Sequence, residues 1–198
     1  MSRLIESIRI LDGKFSNLFY HEQRMQRSLH ALYGLESPVD IEKYLGKTAL
    51  PMEGLHKCRI VYDNVSSLVT LTPYEAREIK RVKIVQHDFI HYEHKFLDRQ
   101  VIDRLFAQRG ECDDILIVKQ GSVTDCSFSN IVFRKGGDWF TPRAALLRGT
   151  MRQKLIDENK IQVREIEKRD IRSFDTFKII NAMLEFDSPE IEVSDIVF

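Results

Sequence analysis

Leu4 to Ile10 carries Ile5, Ile8 and Ile10 ahead of the turn pair Asp12-Gly13, and Phe15, Leu18 and Phe19 follow. That pattern predicts a hairpin or a strand entering a helix. From Tyr20 to Tyr33, apolar or aromatic residues fall at 20, 25, 29, 32 and 33, a spacing that predicts an amphipathic helix closed by Gly34. Ser37-Pro38 opens a second short helix through Leu45, while Cys58 to Tyr62 and Leu68 to Thr72 read as strands joined near Asn64. Val82 to Val85 reads as another strand. The charged run Tyr74 to Arg81 between two strand patterns is the best boundary, because few contacts have to cross it. It divides the chain into a small α/β lobe over 1–80 and a larger lobe over 81–198.

In that larger lobe, Val101, Ile102, Leu105 and Phe106 sit at helical spacing and stop at Gly110. Ile115 to Val118, Ile131 to Phe133 and Trp139 to Phe140 read as strands, with turns at Gln120-Gly121 and Gly136-Gly137. Gly149 opens a helix through Asn159, Ile161 to Ile166 and Phe177 to Ala182 read as strands, and Ile171 to Phe174 as a short helical turn. Short strands, hairpin turns and helices interleaved in this way predict an α+β or mixed α/β fold. A doubly wound sheet is not expected, since neither GxGxxG nor a P-loop occurs.

The 198 residues are 43% hydrophobic and 30% charged, values of a folded globular chain. Thirty basic and thirty acidic side chains cancel, so no global field draws the chain to nucleic acid or an anionic membrane. Charged residues interrupt the first twenty positions, no long apolar run follows, and Cys58, Cys112 and Cys126 match no metal spacing. A cytoplasmic location is the expectation.

Five segments carry candidate chemistry. His87, His91 and His94 form H-x3-H-x2-H, which on a helix would align three zinc ligands; the alternative is a connector with incidental histidines. Lys95 follows, and a lysine becomes a nucleophile only where desolvation or a nearby cation lowers its pKa. Val123 to Asn130 is rich in small polar residues, and reads either as a hairpin entry or as a wall where a carboxylate faces a ligand. The helix start at Gly149-Thr150-Met151-Arg152 offers free amides to an anion, and Ile180-Asn181-Ala182-Met183 is a second such turn.

Taken in chain order, these segments resemble the class IV aminotransferase family of fold type IV pyridoxal-phosphate enzymes, which includes branched-chain and D-amino acid aminotransferases and aminodeoxychorismate lyase. The resemblance runs through Glu6-Ser7-Ile8-Arg9-Ile10 with Asp12-Gly13, His21-x-x-Arg24 with Ser28, and Lys95 to Arg99. It continues through Asp113 to Leu116, Gly121-x-Val123-Thr124-Asp125, Ser129-Asn130-Ile131, Thr141-Pro142, Gly149-x-Met151-Arg152 and Asn181-Ala182-Met183.

The resemblance implies two lobes, each a mostly antiparallel sheet or partial barrel with flanking helices, the larger carrying the cofactor lysine. It implies that Lys95 forms the internal aldimine with pyridoxal 5'-phosphate and then moves a proton, and that Arg24 binds the phosphate. Backbone amides at Thr150 and Met151 and the turn at Asn181 and Ala182 complete the phosphate cup. Asp125 stands where the family usually carries a glutamate against the pyridine nitrogen, one methylene shorter. The chain is also shorter than most members, chiefly before Lys95. The implied activity is amino transfer or aminodeoxychorismate-lyase-like elimination on a small amino-bearing substrate, in a homodimer. The glycine-led and asparagine-led motifs look closer to the lyase branch. The rivals are a non-catalytic cofactor-binding relative and a histidine metalloenzyme.

Overall fold

A computed structural model describes residues 3–198, which divide into two units. The first runs through Ala76 and includes His94–Asp98; the second comprises Arg77–Glu93 and Arg99–Phe198. Lys95 falls in the first unit because the main chain there is stitched to the first strand. Ile5 N donates to Lys95 O at 2.9 Å and Leu97 N to Arg3 O at 2.8 Å, forming an antiparallel bridge between Leu4 and Phe96. The division expected from the charged run, 1–80 and 81–198, places Lys95 on the other side, since nothing local marks residues 94–98 as returning to the first strand.

The first unit is a four-stranded antiparallel sheet, ordered β2-β1-β3-β4, with two helices. Its strands are β1 (Leu4–Leu11), β2 (Lys14–Phe15), β3 (Leu55–Tyr62) and β4 (Ser67–Pro73); its helices are α1 (Leu18–Tyr33) and α2 (Ile41–Leu45). The alternation of β1 puts Leu4, Glu6, Ile8 and Ile10 on one face, all fully buried. The core joins Leu4, Ile8 and Ile10 to Cys58, Ile60 and Tyr62 of the sheet and to Met25 and Leu29 of α1. Gly34 ends α1 in the left-handed conformation, φ 68°, where its amide caps His30 O. Asp40, not Ser37-Pro38, caps α2, accepting from Glu42 N at 3.0 Å.

The buried stripe of α1 is His21, Arg24, Met25, Ser28 and Leu29. Its i, i+3, i+4, i+7, i+8 spacing is that of a core-facing helix, yet three of its five members are polar. The apolar series at 20, 25, 29, 32 and 33 lies partly off this stripe, and Leu32 is exposed. His21 and Arg24 are buried against Glu6, and Ser28 meets His94.

The second unit holds β5 (Val82–Gln86), α3 (Gln100–Phe106), β6 (Asp114–Lys119), β7 (Ser122–Cys126), β8 (Asn130–Lys135), β9 (Asp138–Pro142), α4 (Thr150–Asp157), β10 (Gln162–Arg164), β11 (Thr176–Ile180), β12 (Ile191–Glu192) and β13 (Ile196–Val197). Nine strands form one mixed sheet: β10-β9-β8-β7-β6-β5-β13, with β11 on the other edge of β8 and β12 beyond it. Pairing from β6 to β9 is antiparallel, and β5 runs parallel to β6 and β13. Val82, Leu116, Val118, Val123, Ile131, Phe133 and Phe177 anchor its larger core, all fully buried. A smaller cluster seats α4 through Met151 and Leu155 against Val132 and Ile180.

The segment Val123 to Asn130 is the hairpin that joins β7 to β8, with Asp125 paired to Asn130 across it. Thr124 and Asp125 are buried within it, and Thr124 Oγ1 is satisfied by Ile117 O at 2.7 Å.

Candidate active site

In the first unit, Glu6 reaches from the apolar face of β1 into the polar stripe of α1. Arg24 Nε donates to Glu6 Oε1 at 2.8 Å, Arg24 NH2 donates to Oε2, and His21 Nδ1 lies 2.7 Å from Oε2. All three residues are buried. Burial by itself raises a carboxyl pKa, but the Arg24 guanidinium and the His21 bond outweigh it and hold Glu6 at about 2. Glu6 is therefore an anion that can only accept, which fixes the proton of His21 on Nδ1. Burial also pushes the imidazole pKa down, and the positive charges of Arg24 and Lys95 add to that against the pull of Glu6. His21 is neutral, with a bare Nε2 that has no hydrogen-bond partner among the described residues. Next to this group, His94 Nδ1 pairs with Ser28 Oγ at 3.0 Å, and Lys95 is half-buried.

In the second unit, Asp125 is buried on β7. Asn130 Nδ2 donates to its Oδ1 at 2.7 Å and Leu147 N to its Oδ2 at 2.9 Å. Burial raises the carboxyl pKa to about 6, against the lowering by these donors and by the Arg152 charge. Arg152 is itself buried, its Nε on Thr141 Oγ1 at 3.1 Å and its NH2 on Pro142 O at 2.9 Å.

The amino end of α4 starts at Thr150, with Gly149 as N-cap. No side chain caps this end, and the Thr150 hydroxyl is buried without a hydrogen-bond partner among the described residues. Gly149 is required by approach: a Cβ there would lie 1.9 Å from Asn130 Oδ1. Asn181 ends β11 in a side-chain turn, its Oδ1 accepting from Met183 N at 2.8 Å and Leu184 N at 3.1 Å.

The residues singled out in sequence thus fall into two groups. Arg24 and Lys95 belong to the first unit; Asp125, Thr150, Met151, Asn181 and Ala182 belong to the second. The histidine metal reading is corrected. Residues 87–94 are irregular, so His87, His91 and His94 share no helical face. His91 instead pairs with Glu93 at 3.3 Å, and no group of three His, Cys, Asp or Glu able to hold a metal occurs among the described residues. Sequence reasoning gave no role to Glu6 and His21. The signal was available in the i, i+3 spacing of His21 and Arg24 opposite one acidic residue in an apolar strand.

The sequence pattern of the family Amino-transferase class IV matches residues 3–186. The chain belongs to that family. An uncharacterized protein of Haemophilus influenzae is 43% identical over 186 residues, 92% of this chain and 98% of its own. A crystal structure from Haemophilus somnus 129pt, provisionally named a 4-amino-4-deoxychorismate lyase, has 38% identity and a TM-score of 0.85, covering 92% of this chain and 97% of that one. A hypothetical aminotransferase of Mycobacterium tuberculosis in its PLP-bound form shares the fold, with 17% identity and a TM-score of 0.75, covering 98% and 81%. The mixed α/β architecture of this class IV chain is accordingly fold type IV.

Proposed function

We propose that the chain is a pyridoxal-phosphate-dependent enzyme that cleaves 4-amino-4-deoxychorismate or a close amino-bearing analogue by elimination. The observation that carries the lyase reading is the 38% identity, over nearly the whole of both chains, to the Haemophilus somnus structure of that provisional name.

The residues present fit this cofactor. An uncapped helix start with a buried, unpartnered Thr150 hydroxyl suits a phosphate, and a buried carboxylate at Asp125 suits a protonated ring nitrogen. When bound, the cofactor supplies an aldehyde that joins amines covalently and a ring that accepts the electron pair left on a substrate carbon.

Lys95 would hold the cofactor through Nζ, and its free amine would take a proton from the substrate carbon and return one. The Asp125 carboxylate would hold the ring nitrogen and keep its proton in place. Thr150 and Met151 amides, the Thr150 hydroxyl and the Asn181–Ala182 turn would hold the phosphate, with Arg24 as a fixed cation. The Nε edge of Arg24 is committed to Glu6, so Glu6 orients the guanidinium and removes much of its net charge. A location in the cytoplasm and assembly as a homodimer belong to the same reading. Among the described residues no helix is long and apolar enough to cross a membrane.

Purified protein given pyridoxal phosphate should develop an absorbance band at about 410 nm that Lys95→Ala lacks, since the chromophore needs a lysine-linked aldehyde. Pyruvate release from 4-amino-4-deoxychorismate then separates elimination from amino transfer, which would instead consume a 2-oxo acid. A band with neither activity points to the non-catalytic relative.

A further inference from the structure

Asn130 of the second unit meets Asp125, the segment that leads into α4, and the last residue of β11. Its main chain pairs with Asp125 on one edge of β8 and with Ile180, the residue before Asn181, on the other. Its side chain donates to Asp125 Oδ1 at 2.7 Å and to Leu147 O at 2.9 Å, using both protons of the amide nitrogen. The remaining oxygen backs onto Gly149, at a distance that leaves no room for a Cβ. Asp125 closes the same ring from the other side, its Oδ2 accepting from Leu147 N at 2.9 Å.

The chemistry of this junction is specific to an asparagine. Aspartate is the same size but has no proton to give, and would set a second carboxylate against Asp125. Glutamine is too long for a side chain that already meets Gly149. Alanine leaves the buried Asp125 carboxylate and the part-buried Leu147 carbonyl each short of a donor.

We propose that Asn130 is a positioning residue that locks the Asp125 carboxylate, the 147–149 segment and the Asn181 turn into one body. Grip on the ring nitrogen and grip on the phosphate then depend on each other, although no single side chain touches both ends. This inference rests on the cofactor reading above, and assigns to Asn130 the transmission between its two ends.

The test is a double-mutant cycle on pyridoxal phosphate affinity, read by titration calorimetry. Asp125→Asn and Thr150→Val should be non-additive by about five-fold in the wild-type background, the size expected of residues coupled through a shared partner. In Asn130→Ala the two should become additive, and affinity should fall at least ten-fold. Additivity in the wild-type background, or a coupling that survives Asn130→Ala, overturns the inference. Inorganic phosphate, probing one end alone, should also bind more weakly to Asn130→Ala.

If Asn130→Ala does not fold, Asn130→Ser, too short to reach both partners, is read in the same way. Hydrogen exchange in the protein without cofactor keeps the inference separate from the functional reading. Exchange at the Leu146 and Leu147 amides should accelerate in the Asn130 variants whether or not the wild type binds pyridoxal phosphate. Unchanged exchange there contradicts the junction, whereas failure of the wild type to bind the cofactor contradicts only the reading it rests on.

Discussion

Glu6 and Arg24 form a buried two-point ion pair across the interior of the first unit, Nε on Oε1 at 2.8 Å and NH2 on Oε2. A strand face that is otherwise apolar carries the carboxylate, and a helix face that is otherwise core carries the guanidinium. Removing either charge alone takes from the other its two-point partner in the interior.

Glu6→Ala should therefore destabilise the protein by about 3–5 kcal/mol, the usual result of leaving one member of a buried pair uncompensated. Urea denaturation checks this. The double variant Glu6→Ala with Arg24→Met should recover part of the loss. Equal loss in the double and single variants would show that the pair is not energetically linked.

The same pair sets an acid limit. Because the Glu6 pKa is lowered from 4.5 to about 2, its contribution to stability is present above pH 4.5 and is lost as pH falls toward 2. Wild-type stability should drop over that window more steeply than that of Glu6→Gln, measured as denaturant midpoints.

His21 has its pKa lowered by burial, with Arg24 and Lys95 adding to the effect, so it remains neutral in the folded state below the pH at which a free imidazole charges. The unfolded chain takes up a proton near pH 6.5 and the folded one does not, so this group costs stability as pH falls below 6.5. Nitrogen NMR of the imidazole should show an unprotonated Nε2 at neutral pH and a titration midpoint below 6.5. A midpoint at 6.5 would contradict the neutral, Glu6-bonded tautomer.

Gly149→Ala places a methyl group 1.9 Å from Asn130 Oδ1, so the amide must move and lose its bonds. The expected destabilisation is about 1–3 kcal/mol, typical of overpacking. Thermal melts read the stability. Pyridoxal phosphate affinity should fall with it, and a variant with unchanged affinity would detach Gly149 from the site.

How far the sequence carried this picture depends on where each element gets its stability. β1 and α1 were legible because their periodicities coincide with burial, as at Ile8, Ile10, Met25 and Leu29. β7 was not legible as a strand, since Thr124 and Asp125 are polar and buried by tertiary bonds to Ile117, Asn130 and Leu147. The residues of the proposed site could be named from short motifs in order, Lys95 and Asp125 among them. Their partners could not: Glu6 is fifteen and eighteen positions from His21 and Arg24, and Asp125 is twenty-two from Leu147. Those pairings exist only once the sheets have formed.

On the proposed function, the Nζ of Lys95 carries the cofactor. Borohydride reduction of protein loaded with pyridoxal phosphate, followed by peptide mass spectrometry, tests it at the level of a single residue. One stoichiometric adduct on the peptide containing Lys95 is the predicted result; label spread over other lysines, or retained in full by Lys95→Ala, would contradict it.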